Sequence, residues 1–230
     1  MDIFLIGLGK VGIALSNFLQ KCNIDHKILQ NVPENVSGIL FLAVSDSAVN
    51  QLLSEIVEKN PELFVVHFSA ATKFEHSRVF LLHPFSSVSA GSDFSQILFT
   101  LWGGKNMNFE EILEKTGLNF VFCGEFPSLL YHSAAVMSGN FTQFFTLNAL
   151  KLLEKSGFPK EDSEKLVRQL VNSSLDNIFH DGLKGLTGPA VRGENEVLFN
   201  EYNALLKENS EVAELFKAVN EAIAELISRS

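Results

Sequence analysis

The stretch that decides the fold is Gly7-Leu8-Gly9-Lys10-Val11-Gly12, near the start of the chain. It follows a short apolar run at 2–6 and leads into an amphipathic segment at 11–19, so it joins a predicted strand to a predicted helix. In such a G-x-G-x-x-G turn the first glycine permits the tight bend, the second lets the backbone approach a pyrophosphate, and the third allows close packing of helix on strand. The pattern predicts a Rossmann fold that binds a dinucleotide at residues 7–12. A turn kept only for packing is the alternative.

Short β-branched or aromatic apolar runs alternate with amphipathic or polar segments as far as Cys123. This alternation is typical of strands separated by helices. Runs such as 39–44 are apolar on both faces, which favours parallel strands covered by helices on both sides. The predicted strands lie near 2–6, 26–29, 39–44, 63–68, 79–82, 97–102 and 119–123.

The hydrophobic period changes from two residues to 3.6 after the turn-like stretch 124–127. Glycine and proline at 157–159 and 185–189 interrupt the helical pattern. The fold class predicted is α/β: a Rossmann-like, mostly parallel sheet domain at 1–126, followed by an all-α helical domain at 127–230. The predicted helices are 129–156, 161–183, 194–208 and 210–228.

An acidic residue about 20 positions after the glycine turn would bind the ribose 2′-hydroxyl of NAD. This chain has Gln30 and Asn31 there, which are neither carboxylates nor arginines. Lys10 and Lys27 are the nearby cations that favour a 2′-phosphate. NADP is therefore the predicted cofactor, with NAD as the alternative.

Only eight residues separate Gln30 from the next predicted strand at Ile39, too few for the usual crossover with its helix. The adenine pocket is therefore predicted to be open or missing. The end of that strand continues into Val44, Ser45 and Asp46, which we expect to meet the cofactor at the carboxyl edge of the sheet. For Ser45 and Asp46, N-capping of a helix at 47–58 is the alternative.

Several motifs in fixed order resemble an uncharacterised bacterial family. That family has a Rossmann-like N-terminal domain and a helical C-terminal domain of unknown function, similar in plan to pyrroline-5-carboxylate reductase, 6-phosphogluconate dehydrogenase and the deazaflavin-dependent NADP reductases. The resemblance covers nearly the whole chain and implies an NADP-binding, oxidoreductase-like homodimer joined through its helical domains. It implies no substrate. The motifs are the glycine turn, Leu42-Ala43-Val44-Ser45-Asp46, Val66-His67-Phe68-Ser69-Ala70, Leu82-His83-Pro84-Phe85, the stretch from Leu130 to Val136 with Asn140, and the stretch from Leu186 to Gly193.

The first predicted helix of the second domain carries a polar stripe. Ser133, Val136, Met137 and Asn140 fall at i, i+3, i+4 and i+7, and His132 borders them. Beside a nicotinamide, Asn140 could orient a carbonyl or carboxylate, and His132 could donate the proton because its unperturbed pKa is near neutrality. Hydrogen bonding between helices in the core is the alternative.

Arg192 follows Gly188-Pro189 in a predicted loop, where its planar guanidinium could bind a substrate carboxylate through two hydrogen bonds. An ion pair at the rim is the alternative. His83 ends a predicted strand where ligands gather, so a catalytic role competes with a structural one. His67 and Ser69 lack a third partner for a nucleophilic triad.

Composition excludes several classes of partner. Acidic residues outnumber basic ones 27 to 18, and without a basic patch this disfavours nucleic acid and anionic membranes. Cys22 and Cys123 have no neighbours at metal-ligand spacing, so we expect neither a metal site nor a disulfide framework. No apolar run approaches the ~20 residues needed to span a bilayer, and the start lacks a basic segment, so a cytoplasmic protein is predicted.

Together the patterns predict an NADP-dependent oxidoreductase that acts on a small, carboxylated molecule between two domains. His132, Asn140 and Arg192 are the candidate catalytic residues. A homodimer is expected because about 100 helical residues rich in Phe and Leu have little means to bury them alone. Two alternatives are a non-catalytic nucleotide- or metabolite-binding homodimer that kept the fold, and an interaction module with no ligand.

Overall fold

The computed structural model describes residues 2–104 and 106–229. Its strands are β1 (Ile3–Ile6), β2 (Lys27–Leu29), β3 (Gly38–Leu42), β4 (Leu63–His67), β5 (Val79–Pro84), β6 (Leu98–Trp102) and β7 (Asn119–Gly124). Its helices are α1 (Lys10–Lys21), α2 (Asp46–Lys59), α3 (Met107–Glu114), α4 (Leu129–Val136), α5 (Thr142–Lys155), α6 (Lys160–Asp181), α7 (Pro189–Arg192), α8 (Asn195–Glu208) and α9 (Ser210–Ser228).

Within the described residues the seven strands form one sheet in the order β2-β1-β3-β4-β5-β6-β7. Neighbouring strands are parallel except for β5 and β6, which are antiparallel. Each predicted strand is present, with ends that differ by at most two residues. The predicted α/β, mostly parallel Rossmann-like sheet followed by helices is thus confirmed.

Both faces of the sheet are covered, as the doubly apolar strands predict. On one face Leu15 and Phe18 of α1 pack in a buried cluster with Phe109 of α3. On the other face Leu53 and Ile56 of α2 pack against the sheet. Because both layers bury apolar side chains, the central strands hold their carboxyl ends in fixed positions at one edge.

The connection from β2 to β3 contains no helix. Residues 30–37 cross β1 as a loop, and Val32 and Val36 pack against the apolar cluster under α2. The buried side chain of Asn60 donates to Pro33 O at 2.8 Å and accepts from the Val36 N–H at 3.1 Å. Eight extended residues reach about 26 Å, which suffices because the strands they link are short.

The chain divides into two compact units, one ending at Gln143 and the other beginning at Phe144. The predicted change from strands to helices is present, since β7 ends at Gly124 and α4 begins at Leu129. The compact units divide later because α4 packs with the sheet, where Tyr131 contacts His83. The boundary at 126/127 stays a prediction.

Two differences from the helical predictions concern the candidate site residues. A π-helical turn at Met137–Phe141 interrupts the helix expected at 129–156. A one-turn helix, α7, occupies part of the expected loop around Arg192, because Pro189 stands at its first position and Gly193 ends it at φ +69°. No helix of the described residues is long and apolar enough to cross a membrane.

Candidate functional site

The glycine turn has the geometry that its sequence predicts. Gly7 has φ +95°, and a Cβ there would lie 2.3 Å from Ala43 O. A Cβ on Gly12 would lie 2.0 Å from Gly7 O, so this glycine is required for helix α1 to approach the strand. Gly9 is different, because a Cβ added there would have no heavy atom within 4 Å. Gly7 and Gly12 serve the chain itself, whereas Gly9 borders open space at the N-terminus of α1.

A first cavity of about 710 Å³ adjoins this turn. It brings together five of the residues predicted to bind the cofactor: Gly7, Leu8, Gln30, Asn31 and Val44. The remaining lining residues are Ile6, Ile28, Leu29, Val32, Leu52, Glu55 and Lys59. A cavity therefore exists on the side where the short crossover predicted an open or missing adenine pocket. The loop after β2 and one face of α2 line it.

Lys59 is the cation that lines the first cavity in the described part of the chain. Its Nζ lies 3.0 Å from a carboxylate oxygen of Glu34 and 3.0 Å from one of Glu55, and these two bonds raise its pKa. Sequence reasoning missed Lys59, since it ends α2 and follows Asn31 by 28 residues. The sequence suggested Lys10 and Lys27 as cations for a 2′-phosphate. Lys27 Nζ lies 3.3 Å from a carboxylate oxygen of Asp2, and Lys10 is exposed.

Ser45 and Asp46 lie where β3 gives way to α2. Ser45 occupies the N-cap position, but its hydroxyl contacts the Ser47 hydroxyl at 3.1 Å and makes no capping bond to the backbone. Asp46 is the first helical residue, and its charge raises the pKa of both His67 and His83 against the larger effect of burial. The carboxylate thus acts electrostatically on the ends of β4 and β5.

A second cavity, of about 350 Å³, lies at the end of β5. Two predicted catalytic residues, His132 and Asn140, line it together with His83. The complete lining is His83, Pro84, Phe85, Ser86, Ser87, His132, Ala135, Val136, Ser138, Gly139 and Asn140. Sequence reasoning could find His83 because it ends a predicted strand. No sequence pattern pointed to Ser86 and Ser87, which follow it.

The helical face on this cavity differs from the predicted stripe. His132, Ala135, Val136, Gly139 and Asn140 line the cavity, so the face begins one residue before the stripe that was counted from Ser133. Ser133 instead donates its hydroxyl to Leu129 O at 3.0 Å. The π turn at 137–141 has a wider circumference than an α-helix and brings Ser138 to the same cavity.

A chain of polar contacts lies beside the second cavity. His83 Nδ1 is 2.7 Å from the Tyr131 hydroxyl, which is 2.6 Å from Thr100 Oγ1. Thr100 also donates to the carbonyl of His83 at 3.3 Å and accepts from Trp102 Nε1 at 3.0 Å. Burial is the main cause that lowers the pKa of His83, with a smaller effect from His132, and burial raises the pKa of Tyr131.

His67, at the end of β4, is almost completely buried, with 3% of its surface exposed. Its Nδ1 has no hydrogen-bond partner within the described residues. Burial lowers its pKa to about 4, and the charge of Asp46 opposes this only in part. A neutral imidazole here belongs to the packing of the sheet and does not line either cavity.

Arg192 lies in the second compact unit, at the end of α7. Its Nε and one terminal nitrogen donate to the two carboxylate oxygens of Glu194 at 2.8 and 2.9 Å. This ion pair raises the pKa of Arg192 and lowers that of Glu194. The two-pronged contact predicted for a substrate carboxylate is therefore made by a neighbouring side chain.

Comparison with protein families gives one match, to a domain of unknown function, DUF2520, over residues 105–223. The matched segment makes up just over half of the chain. No curated protein matches the sequence.

Solved structures with the same fold include several redox proteins. A Bacteroides fragilis protein named "putative NADP oxidoreductase" has a TM-score of 0.78 at 20% identity, over 97% of this chain and 98% of its own. Pyrroline carboxylate reductase of Plasmodium falciparum, solved with NADP, has a TM-score of 0.60 at 12% identity, over 97% and 98%. A reductive aminase of Aspergillus terreus, solved with NADPH and ethyl levulinate, has a TM-score of 0.70 at 14% identity, over 97% and 93%. At these identities the likeness establishes the fold.

Proposed function

The chain belongs to the DUF2520 family, and we propose that it is an NADP-dependent oxidoreductase that acts on a small, carboxylated molecule. The observation that carries this proposal is the open space at Gly9, next to the first cavity and at the N-terminus of α1. Backbone N–H groups at a helix N-terminus attract an anion such as a pyrophosphate. The residues of the turn therefore fit a dinucleotide.

The second cavity fits the substrate half of such a reaction. Strands β1 and β5 run in the same direction through β3 and β4, so Gly7 and His83 both lie at the carboxyl ends of strands. Three strand spacings separate β1 from β5, about 14 Å at ~4.8 Å each, a distance that an extended dinucleotide covers. When bound, NADPH supplies a hydride to the carbon of a C=O or C=N bond.

Lys59 supports NADP over NAD, because it brings a cation to the first cavity. The positions expected to contact the ribose 2′-group hold only the uncharged Gln30 and Asn31. Glu34 and Glu55 partly neutralise Lys59, so discrimination stays weak. We expect a preference for NADPH below about a hundredfold, or about 2.7 kcal/mol. Titration of the protein with NADPH and NADH measures it, and a larger preference would show a charged contact elsewhere.

The substrate contacts we propose are His132, Asn140 and Arg192. Asn140 orients a carbonyl, and the two cavity histidines, His83 and His132, are the candidate proton donors. Arg192 binds a carboxylate once that carboxylate replaces Glu194, which offers the same chemical group.

We also propose a homodimer through the helical domain. Among the described residues from Phe144 onward, the buried apolar side chains are Val167 and Ala213. Large apolar side chains in the same unit stay exposed, including Leu170 at 68% and Phe179 at 84%. Large exposed apolar patches mark interaction surfaces. Most soluble oligomers are built from copies of one chain, so we propose a second copy of this chain as the partner.

A cytoplasmic location completes the proposal. Cys22 and Cys123 are both free and exposed. Exposed thiols persist best in a reducing compartment, where disulfides are rare.

The test of the proposed function compares two glycine substitutions. Gly9→Val fills the open space of the turn and should weaken NADPH binding by at least tenfold, about 1.4 kcal/mol, in isothermal titration calorimetry. Gly91→Val is the matched control, because a Cβ added at the exposed Gly91 would also have no heavy atom within 4 Å, yet Gly91 lies far from the turn in sequence. Equal affinity for all three proteins would contradict the proposal.

The non-catalytic alternative predicts a different pattern. A dinucleotide-binding homodimer without activity would bind NADPH through Gly9 but would not oxidise it. Incubation with 2-oxo acids, with and without ammonia, and measurement of absorbance at the nicotinamide band separates the two functions. Absence of oxidation across such a panel, together with Gly9-dependent binding, would favour the alternative.

A further inference from the structure

Four side chains at the end of β5 form a closed arrangement whose proton positions can be assigned. His83 and Thr100 are directly paired in the antiparallel ladder of β5 and β6, so their side chains lie on one face of the sheet. Trp102 lies two residues further along β6, on the same face. Tyr131 of α4 lies across them, with its ring 5.6 Å from that of His83 and 5.1 Å from that of Trp102. These ring contacts hold the Tyr131 hydroxyl in place.

The donors and acceptors of the cluster allow one proton assignment in which every contact is a hydrogen bond. If Thr100 instead donated to Tyr131, the contact of Thr100 with the His83 carbonyl would have no proton. The carbonyl of His83 can only accept, and the Trp102 N–H can only donate, so Thr100 gives its single proton to that carbonyl and accepts from the indole. The 2.6 Å contact between Tyr131 and Thr100 is then a hydrogen bond only if Tyr131 donates. In this assignment the tyrosine oxygen is left as an acceptor, and His83 carries its proton on Nδ1. With this assignment every contact in the cluster is a hydrogen bond.

We propose that His83 is the group that exchanges a proton with the substrate, and that Tyr131, Thr100 and Trp102 are positioning residues that fix its proton on Nδ1 and leave Nε2 free for the cavity. This proposal rests on the proposed function for the identity of the reaction. Neutral histidine in water prefers the proton on Nε2, so the protein reverses the ordinary preference.

His83 is better placed for this task than His132. His83 is half-buried at a strand end and is held by a hydrogen bond to Tyr131, whereas His132 is exposed on the surface of a helix. A proton donor that is held in one orientation does not have to be ordered during the reaction. The charged or titratable groups that act on His83 are His132 from α4, Asp46 from α2 and the hydroxyl of Tyr131.

The proton and electron count of the step is balanced. When bound, NADPH would supply a hydride, with both electrons of its C–H bond, to the carbon of a C=O or C=N bond and would be left as NADP⁺. The substrate oxygen or nitrogen keeps the former π pair and takes one proton from Nε2–H of protonated His83. His83 returns to its neutral form with the proton on Nδ1, where Tyr131 accepts its hydrogen bond, and solvent restores the proton on Nε2 for the next turnover.

The first test is the tautomer of His83, measured by long-range ¹H–¹⁵N correlation NMR on protein with labelled histidine near pH 8, without ligand. The signal is assigned through its loss in His83→Asn. We expect a protonated Nδ1 and an unprotonated Nε2 in the unmodified protein. In Tyr131→Phe, which removes the acceptor, we expect the ordinary preference for Nε2–H. Tyr202→Phe, the change at the other tyrosine of the chain, should leave the signal as it is because Tyr202 bonds to Glu214.

The second test is access to Nε2 from the cavity. Diethyl pyrocarbonate, a small carbonyl reagent, acylates unprotonated and accessible imidazole nitrogens, and peptide mass spectrometry locates the product. We expect acylation of His83 in the unmodified protein. A protonated Nε2 in the NMR experiment, or acylation of His132 without any at His83, would overturn the proposal.

These outcomes are separate from those of the proposed function. Loss of NADPH binding would end the oxidoreductase proposal but would not move the tautomer. If NADPH binds through Gly9 while His83 carries its proton on Nε2, the oxidoreductase proposal stands and the assignment to His83 fails.

Discussion

The two compact units of this chain bury their apolar side chains to very different degrees. In the sheet unit, strands β1 and β3 consist almost entirely of buried residues, and α1, α2 and α3 each add fully buried side chains. In the described residues from Phe144 onward, only Val167 and Ala213 are buried apolar side chains. Burial of apolar surface is the main stabilising contribution to folding. The sheet unit therefore has a hydrophobic core of its own, whereas the helical unit buries few apolar side chains within itself.

This difference explains where the candidate chemistry lies. Both cavities with predicted site residues are formed by the sheet unit, whose strands hold Gly7 and His83 in fixed positions. The helical unit contributes Arg192 on a one-turn helix, with its guanidinium paired to an adjacent carboxylate. Four predictions test the contrast, from the largest expected effect to the smallest.

Removal of a large side chain from the sheet core should have the greatest effect. Phe80 is 2% exposed, and its ring stacks on that of Phe109 with 3.7 Å between centroids. Phe80→Ala should lower the free energy of unfolding by about 3–5 kcal/mol, because it loses apolar burial and leaves a cavity. Urea unfolding followed by fluorescence of Trp102, the single tryptophan, measures it. Phe179→Ala, at an 84% exposed position, is the control, and an equal loss there would contradict the contrast.

The second prediction concerns acid stability. The unfolded chain protonates His67 below its ordinary pKa of about 6.5, whereas the folded protein resists protonation down to about 4. Stability should therefore fall as pH drops from 6.5 towards 4, by about 3 kcal/mol in total. Unfolding in urea across this range should show the loss in the unmodified protein and a flatter profile in His67→Leu.

The matched control for His67 is His180→Asn, at an exposed position in the helical unit. In this variant the free energy of unfolding should depend on pH as it does in the unmodified protein. An unchanged pH dependence in His67→Leu would show that the acid sensitivity arises elsewhere.

The third prediction tests the helical unit. If a second copy covers α6, then Leu170→Asp places a charge in an apolar interface and should raise the dimer dissociation constant by at least tenfold, about 1.4 kcal/mol. Analytical ultracentrifugation of the variant and of Gln169→Asp, its exposed neighbour, measures the change. A monomer at micromolar concentration in the unmodified protein would overturn the dimer.

The smallest effect is expected at Glu194. The carboxylate pairs with Arg192 on the surface, where water screens both charges, so Glu194→Gln should leave the midpoint of thermal unfolding unchanged. The same change frees the guanidinium. If Arg192 binds carboxylates, the variant should bind oxalate more tightly than the unmodified protein in calorimetry, and Arg192→Gln should bind it less.

Local pattern was sufficient for much of the architecture. Runs such as 39–44 are apolar at every position, which indicates buried strands, so the strands could be placed within two residues of their observed ends. The π turn at 137–141 could not be predicted, because it spans only five residues, too few for its longer repeat to show in the apolar pattern.

By itself, the sequence determined the Rossmann-like sheet, the glycine turn and the short crossover after Gln30, because each depends on neighbours in the chain. Only the tertiary structure decided which distant side chains meet. Lys59 entered the first cavity, and Thr100, Trp102 and Tyr131 gathered around His83, through strand pairing and the packing of α4. The order of strands in the sheet sets such contacts, and hydrophobic periodicity along the chain contains no information about that order.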